Sequence, residues 1–490
     1  MTDQRTTLQT VAGLHGIIMA WETEVGVIQP TYDYAVRLDE AAARGGVATL
    51  RTTIVCDRNC DALVEVSAFR EVAITLNGHI ISDGSPRIEP FGNSFAVRLV
   101  KGENRLELGV TVAEVNPRFL ARVIAPDRSP IAAVTEVRPH WRAIPEPLRD
   151  SLPEEARVSL WHQWNDLCNQ PPRMRLAEED AQAWQRWRGE FGDKLRELIG
   201  PVQPLTGGDV QVLSSEKMDG YRRDRILIPT ERGMDVPAWL LVPDRPNGAG
   251  MVTIHGHGYV FGETVGIIGD EQSEQTLRRY NFAYAARYAE RGYTVVNPDL
   301  RNFGVRRDDE RRRRDACDLA ALRLQQFGIN LIAGQVRDLI ACLDHLLTLG
   351  HVEPARIGAT GLSYGGRLTM YLAALEPRIA AACASGSLNV FRERLTIDSS
   401  CAAQFVPGLL TWGDTPEVFG LIAPRPLLLE LGTVDGTSPE VFAMEAYVQI
   451  QRIYAAAGAA DQLAIDVFET GHRYNGAVAF DWFDRLLLAN

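Results

Sequence analysis

The pattern of apolar and polar positions changes along the chain, and the change predicts two kinds of architecture. Up to about residue 137, short runs such as 48–55, 72–76 and 95–100 alternate between apolar and polar residues. Turn signals such as Asn77-Gly78 separate the runs. Alternation with a period of two is typical of half-buried strands, so residues 1–137 are predicted to form an all-β sandwich.

A different period follows in residues 138–205. Apolar residues recur there at steps of three and four, which places them on one face of a helix that Gly200-Pro201 ends. They are Trp184, Trp187, Phe191, Leu195 and Leu198. We therefore predict a helical connector that packs on the domain after it.

From residue 206 onward, short buried runs alternate with helical periods. This alternation predicts a mainly parallel sheet with helices on both faces, an α/β domain over 206–490. The predicted strands are 227–229, 236–242, 251–254, 294–298, 357–361, 379–384, 426–431 and 463–468, and the predicted helices are 275–292, 332–349 and 441–457.

The sequence Gly361-Leu362-Ser363-Tyr364-Gly365 joins a predicted strand directly to a predicted helix. A serine in such a sharp turn has its Oγ pushed out above the sheet edge, and the flanking glycines avoid collisions with the neighbouring elements. In this context Ser363 is predicted to be a nucleophile, whereas a tight turn without chemistry is the alternative.

A serine hydroxyl needs a base, and the base needs an acid to orient it. After Ser363 the sequence contains one histidine, His472, which follows the last predicted strand. Asp435 follows the preceding strand, so we predict Ser363, Asp435 and His472 as a catalytic triad, with Glu430 as the reserve acid.

A tetrahedral intermediate also needs backbone donors. Tyr364 directly follows the nucleophile, and His257 lies in the loop after strand 251–254, so their N–H groups are predicted to form the oxyanion hole, with Gly258 as the alternate donor. His255 and His257 lack a third ligand with matching spacing, so no metal or other cofactor is predicted.

Composition narrows the partners. The net charge of −12 argues against nucleic acid or an anionic membrane as a partner, and seven cysteines in 490 residues do not make a disulfide framework. No apolar run is long enough to span a membrane, and we find no signal peptide, so a cytoplasmic location is predicted. The sequence is compatible with a homo-oligomer.

These motifs together resemble the α/β-hydrolase superfamily, and within it the dienelactone-hydrolase and acetyl-xylan-esterase-like branch. The resemblance runs from about residue 180 to the C-terminus and implies the α/β-hydrolase fold. Dienelactone hydrolases proper use a cysteine nucleophile, so Ser363 favours ordinary carboxylic esters. The motifs that carry the resemblance are 241–243, 255–258, Asp299 near Arg301 and Gly304, 361–366, 423–428, Gly432 with Asp435, and Gly471-His472.

The predicted function is therefore a serine carboxylic-ester hydrolase acting on small esters through an acyl-enzyme, including deacetylation of acylated carbohydrate. The alternative is a serine peptidase of the prolyl-oligopeptidase type, a family that has the same Gly-x-Ser-Tyr-Gly-Gly motif around its serine. That family usually carries a β-propeller, for which the N-terminal part is too short. A third alternative is a carbohydrate-binding protein with an inactive hydrolase domain, because the sandwich resembles the jelly-roll modules of glycoside hydrolases.

The substrate contacts are predicted around the carboxyl edge of the sheet, where ligands of α/β proteins bind. The segment 301–328 leaves this edge and is predicted to form part of a rim over Ser363. We predict Phe303, Arg301 and Tyr259 as substrate-binding residues.

Overall fold

The fold divides into two compact units. A computed structural model describes residues 16–29, 35–67, 72–85, 93–112, 118–140, 160–168, 170–177, 180–205, 208–258, 261–307, 316–392, 400–433 and 435–488. The first unit comprises Met1–Pro171, Phe391–Ser399 and Thr433–Glu445, and the second comprises Pro172–Val390, Ser400–Gly432 and Ala446–Asn490. The change of unit at residue 171 lies within the predicted 138–205 connector, and the three-part division stays a prediction.

The first unit contains two antiparallel sheets, as the alternating pattern predicts. One sheet has the order β2-β1-β4-β9-β6-β7, with β11 also paired to β4, and the other has the order β3-β10-β5-β8. The strands are β1 Trp21–Thr23, β2 Gly26–Ile28, β3 Val36–Arg37, β4 Val47–Cys56, β5 Cys60–Ser67, β6 Val72–Leu76, β7 His79–Asp83, β8 Ser94–Leu99, β9 Gly102–Thr111, β10 Arg118–Ile124 and β11 Val134–Arg138.

Side-chain alternation builds the core between these sheets. Along β4 every second residue is buried, and the inward residues Leu50 and Ile54 share one apolar cluster with Val64 and Val66 of the other sheet. Because residues from both sheets contribute to this one cluster, the unit is a β-sandwich.

A charged group is buried at one side of the sandwich. Arg122 on β10 has no exposed surface, and its guanidinium donates to Glu65 at 2.7 Å and to Glu445 at 2.6 Å. It also lies over the ring of Phe442, 5.3 Å from the centroid. Since Glu445 and Phe442 belong to the segment Thr433–Glu445, these contacts tie that segment to the sandwich within the first unit.

The second unit contains a mixed sheet with the order β12-β13-β14-β16-β15-β17-β18-β19-β20. The first four strands in this order pair antiparallel, and the pairs from β16 onward are parallel. The strands are β12 Gln211–Lys217, β13 Tyr221–Glu231, β14 Met234–Pro243, β15 Gly250–Ile254, β16 Thr294–Pro298, β17 Ile357–Leu362, β18 Ala381–Ser385, β19 Leu427–Gly432 and β20 Leu463–Phe468.

Helices connect the parallel strands, so the predicted α/β architecture is confirmed. The α-helices of the described chain are α1 Leu160–Cys168, α2 Ala181–Ile199, α3 Glu271–Tyr280, α4 Tyr284–Glu290, α5 Ala316–Gln325, α6 Leu331–Thr348, α7 Tyr364–Leu375, α8 Leu409–Trp412, α9 Thr415–Gly420, α10 Glu440–Ala456 and α11 Ala479–Leu487. Short 3₁₀ helices lie at Leu38–Glu40, Glu263–Val265, Gly304–Arg306, Ala402–Gln404 and Ala460–Gln462.

The tryptophan-bearing helix α2 has the predicted face and end. Its N-cap Asp180 accepts hydrogen bonds from the backbone N–H groups of Gln182 and Ala183, which would otherwise lack intrahelical partners. Trp187 and Phe191 are buried and stack at 5.6 Å, and Gly200 ends the helix with a φ of +91°. The helix therefore contributes its aromatic face to the core of the second unit.

One local prediction was wrong, and one strand was not predicted. The period over 275–292 predicts one helix, but Asn281 adopts a left-handed conformation and separates α3 from α4. Strand β12 was missed because each of its seven residues is exposed, so no apolar alternation marks it. Both departures lie outside the parallel strands that follow β16 in the sheet.

Membrane-spanning character is absent from the helices described. None of them combines the length and the apolarity needed to cross a bilayer.

We expect Arg122→Ala to destabilise the first unit by about 3–5 kcal/mol, because it leaves Glu65 buried with less compensation for its charge. Arg98→Ala is the matched control, since the Arg98 pair with Asp61 is about two-thirds exposed on both sides, and it should cost less than about 1 kcal/mol. Urea unfolding measures both. Equal costs for the two variants would show that the buried pair does not stabilise the sandwich.

Candidate active site

The turn between β17 and α7 holds Ser363 in a conformation that few residues adopt. Its φ is +63° and its ψ is −119°, which is strained for a residue with a Cβ. A Cβ on Gly365 would lie 2.0 Å from the carbonyl oxygen of Ile254, and a Cβ on Gly361 would lie 2.5 Å from the same atom. The two glycines are therefore required by the close approach of β15, and the strand–turn–helix context predicted for Ser363 is present.

The strained turn leaves the serine side chain outside the helix. Ser363 is the N-cap of α7, but its side chain makes no cap hydrogen bond to a described backbone group. Its backbone N–H donates to the carbonyl oxygen of Ser385 at 2.8 Å, which ties the turn to the end of β18.

His472 lies against the residue that follows Ser385. Gly386 has a φ of +56°, and a Cβ there would lie 2.9 Å from Cε1 and 3.1 Å from Nδ1 of His472. Because the Ser363 backbone bonds to Ser385 and the imidazole lies next to Gly386, both residues lie at the carboxyl end of β18.

The loop that carries His472 is anchored by several bonds within the second unit. The Ser385 hydroxyl donates to the carbonyl of Arg473 at 3.3 Å, and the N–H of Tyr474 donates to the carbonyl of Tyr280 at 3.0 Å. Further along, the N–H groups of Asn475 and Gly476 donate to Glu430 at 3.1 and 2.8 Å. The backbone on the carboxyl side of His472 is therefore fixed.

Glu430, the reserve acid, is fully buried inside β19. Burial raises the pKa of its carboxyl to about 7, and the backbone bonds from Gly476 and Asn475 offset this only in part. Both carboxyl oxygens accept from backbone N–H groups, so Glu430 anchors the segment after His472.

Asp435, the preferred acid, follows the end of β19 and is also buried. One of its carboxylate oxygens accepts from the N–H of Thr437 at 2.8 Å and from its hydroxyl at 2.7 Å. These local bonds hold the carboxylate in place. Its segment, Thr433–Glu445, is counted with the first unit.

The two predicted oxyanion donors lie at the start of α7 and in the loop after β15, and their role stays a prediction. Tyr364 is the first residue of α7, where backbone N–H groups lack helical partners. Its phenol oxygen lies 2.5 Å from Gln335 Oε1 and 2.9 Å from the carbonyl oxygen of Ala403, so the buried side chain is pinned. His257 lies in the loop after β15, and its ring packs edge-to-face on Phe303 at 5.1 Å.

His255 holds the same loop in place. The N–H of Leu300 donates to its Nε2 at 3.0 Å, and its Nδ1 lies 2.7 Å from the carbonyl oxygen of Gly256. Since both ring nitrogens make contacts within the protein, His255 does not bind a metal ion together with His257 in this arrangement.

The predicted substrate-binding residues have different surroundings. Phe303 is buried, contacts the rings of His257 and Tyr364, and lines a small surface pocket with His257. Arg301 is engaged in ion pairs with Glu231 and with Asp338 at 2.6 Å. Its substrate role stays a prediction, and Tyr259 lies outside the described residues.

A cluster of His257, Cys317 and Cys401 lies beside the loop after β15 and was not predicted from the sequence. Nε2 of His257 lies 3.1 Å from Sγ of Cys317, which lies 3.1 Å from Sγ of Cys401. The hydrogen bond from Cys317 lowers the pKa of the Cys401 thiol to about 6. Residues 257, 317 and 401 are too far apart for any spacing rule, so only the fold reveals the cluster.

Comparison with known proteins agrees with this architecture. Residues 277–406, which include the Ser363 turn, match the model of the Dienelactone hydrolase family. The chain is 25% identical over 298 residues to "Putative hydrolase YtaP" of Bacillus subtilis (strain 168), covering 58% of this chain and 94% of that protein.

One solved structure of a similar protein shares this fold. The crystal structure of a "putative acetyl xylan esterase" from Bacteroides fragilis NCTC 9343 aligns with a TM-score of 0.54 and 17% identity, over 69% of this chain and 92% of that one. A glucuronoyl esterase from Solibacter usitatus aligns with a TM-score of 0.46 and 14% identity, over 65% and 96% of the two chains.

Glu430 makes the stability of the fold depend on pH. Its folded pKa of about 7 exceeds the ordinary value of 4.5, so between these pH values the folded chain holds a proton that the unfolded chain has lost. The free energy of unfolding should therefore fall as pH rises through this window, by about 3 kcal/mol in total.

Glu430→Gln should remove this part of the pH dependence. The measurement is the difference in unfolding free energy between wild type and variant from pH 4.5 to 7.5. Glu417, whose pKa burial also raises to about 7, is present in both proteins and cancels in the difference. A difference that stays constant with pH would contradict the assignment.

Proposed function

We propose that the chain, which matches the Dienelactone hydrolase family model over residues 277–406, is a serine carboxylic-ester hydrolase of the α/β-hydrolase class. In this proposal Ser363 is the nucleophile, His472 the base and Asp435 the acid that orients it. The observation that carries the proposal is the strained turn at Ser363. The serine backbone bonds to Ser385, and the next residue, Gly386, lies beside the His472 ring.

The reaction proceeds in two halves. His472 takes the proton of the Ser363 hydroxyl while Oγ attacks the ester carbonyl, and the oxyanion of the tetrahedral intermediate accepts bonds from the N–H groups of Tyr364 and His257. His472 then gives its proton to the departing alcohol. Water, activated by the same imidazole, hydrolyses the acyl-enzyme and releases the carboxylic acid.

Asp435 suits the role of the acid better than Glu430 does. An imidazolium is stabilised by a carboxylate that stays ionised at neutral pH. Glu430 has its pKa raised to about 7 by burial and spends both oxygens on the backbone of Asn475 and Gly476. Asp435 comes after the strand end, in the chain order serine, acid, histidine that this fold uses.

The resemblance and the names of similar proteins suggest which substrates to test. Two of the similar solved structures carry the names of an acetyl xylan esterase and a glucuronoyl esterase, so acylated carbohydrate and other small esters are the substrates to test. The β-sandwich of two antiparallel sheets gives no support to a propeller-bearing peptidase. Nucleophile, base and backbone donors all come from the chain, so the chemical step needs no metal.

Paired variants of the two acids test the proposal. Asp435→Asn should lower kcat for p-nitrophenyl acetate by a factor on the order of 10³–10⁴ with little change in KM, because His472 loses its orienting carboxylate. Glu430→Gln should lower kcat far less, since Glu430 holds the backbone after His472 and takes no part in the proposed reaction. Ser363→Ala gives the background rate.

Two results would contradict the proposal. One is a larger loss of kcat in Glu430→Gln than in Asp435→Asn, with both variants folded, which would transfer the acid role to Glu430. The other is hydrolysis by Ser363→Ala at the wild-type rate. Cleavage of peptide p-nitroanilides in preference to esters would favour the peptidase.

A further inference from the structure

Three potential metal ligands meet beside the loop that follows β15. Nε2 of His257, Sγ of Cys317 and Sγ of Cys401 all lie within 4.8 Å of one another. They come from three separate segments, namely the loop after β15, the first turn of α5 and the residue that caps the 3₁₀ helix Ala402–Gln404. We call these side chains the His257–Cys317–Cys401 cluster.

The chemistry of the cluster selects a soft ion. Thiolate and imidazole are the ligands that Zn²⁺ binds, at about 2.3 Å for sulfur and 2.0–2.1 Å for nitrogen, whereas Mg²⁺ and Ca²⁺ prefer oxygen. Around a tetrahedral Zn²⁺ such ligand atoms lie about 3.5–3.8 Å apart. The observed contacts of 3.1 Å need to open by only about half an ångström to admit the ion.

The surroundings hold the ligands in this arrangement. Asp318, next to Cys317, accepts a hydrogen bond from the N–H of Ala402, next to Cys401, at 2.8 Å. This bond joins the two cysteine-bearing segments independently of their sulfurs. The ring of Phe303 packs against His257 and limits its rotation. The cluster therefore costs little further ordering when an ion binds.

The cluster is also open to solvent. Cys317 is buried, Cys401 is half-buried and His257 is exposed, and a surface pocket reaches His257 and Cys317. An ion can enter from this side. In the described part of the chain no fourth histidine, cysteine or carboxylate joins the group. The pocket borders His257 and Cys317, so water from it can fill a fourth position.

We propose that this cluster is a Zn²⁺ site with His257, Cys317 and Cys401 as ligands and water in the fourth position. The ion joins the loop after β15 to α5 and to the 3₁₀ helix at Ala402. Ala403 in that helix contacts the phenol of Tyr364, so the site adjoins the Ser363 turn. Its role is to fix these segments, and the site does not depend on the proposed ester hydrolysis.

The test uses the full chain, purified with a phosphine reductant, stripped with a chelator and then given Zn²⁺. Native mass spectrometry and elemental analysis should find one zinc per chain in the wild type and none in Cys317→Ser or Cys401→Ser. Cys60→Ser is the matched control, because Cys60 is also a half-buried cysteine, and it should retain the zinc.

Cobalt gives a readout that does not depend on the variants folding. Co²⁺ bound to the stripped wild type should show thiolate-to-metal charge-transfer absorption, which Zn²⁺ should abolish by displacing it. Zn²⁺ should also raise the melting temperature of wild type and Cys60→Ser, but not of Cys401→Ser, because an ion that binds only the folded state stabilises it.

Several results would overturn the proposal. These are a fully reduced wild type that takes up no stoichiometric zinc, cobalt spectra without a thiolate band, or folded Cys317→Ser and Cys401→Ser variants that bind zinc like the wild type. The cluster would be assigned to redox chemistry instead if two results coincide. The reduced chain takes up no metal, and the oxidised chain forms a Cys317–Cys401 disulfide.

Discussion

The left-handed backbone of Ser363 is the constraint on which the rest of the site depends. A φ of +63° in a residue with a side chain costs about 1–3 kcal/mol, and it persists because its surroundings leave no alternative. Strand β17 is buried along its whole length and pairs with β15 and β18. Helix α7 must then start so close to β15 that only glycine fits at position 365. Packing of the sheet thereby stabilises a strained serine at its carboxyl edge.

A buried carboxyl group provides the second fixed point. Glu430 lies inside β19, and its oxygens hold the N–H groups of Asn475 and Gly476, just past His472. Burial of a carboxyl group is unfavourable in free energy. Here the hydrogen bonds from two backbone N–H groups, which would otherwise lack a partner, offset part of that cost. The Ser363 backbone is thus held at Ser385, while the His472 ring, whose loop Glu430 anchors, lies next to the neighbouring residue Gly386. We regard this convergence as the physical basis of the proposed function.

Sequence reasoning succeeded where one local pattern determines the structure and failed where distant residues do. The Ser363 turn could be predicted because strand, glycines and helix are adjacent in the chain. The role of His472, the one histidine that follows, stays a prediction. The exposed strand Gln211–Lys217 has no apolar face, so its pairing is visible only in the fold. Within 275–292 the helical period continues across Asn281, whose left-handed conformation no periodicity reveals. The partners of Cys401 are brought together by tertiary structure alone.

The most direct test of the central claim is to treat the full chain with a fluorophosphonate and to locate the adduct by peptide mass spectrometry. An activated serine attacks the phosphorus and displaces fluoride, whereas an ordinary serine hydroxyl does not react. The account predicts one adduct per chain, on Ser363, that forms rapidly at neutral pH and is lost in a folded His472→Ala variant. Labelling of a different residue, or no labelling of the folded wild type, would contradict it.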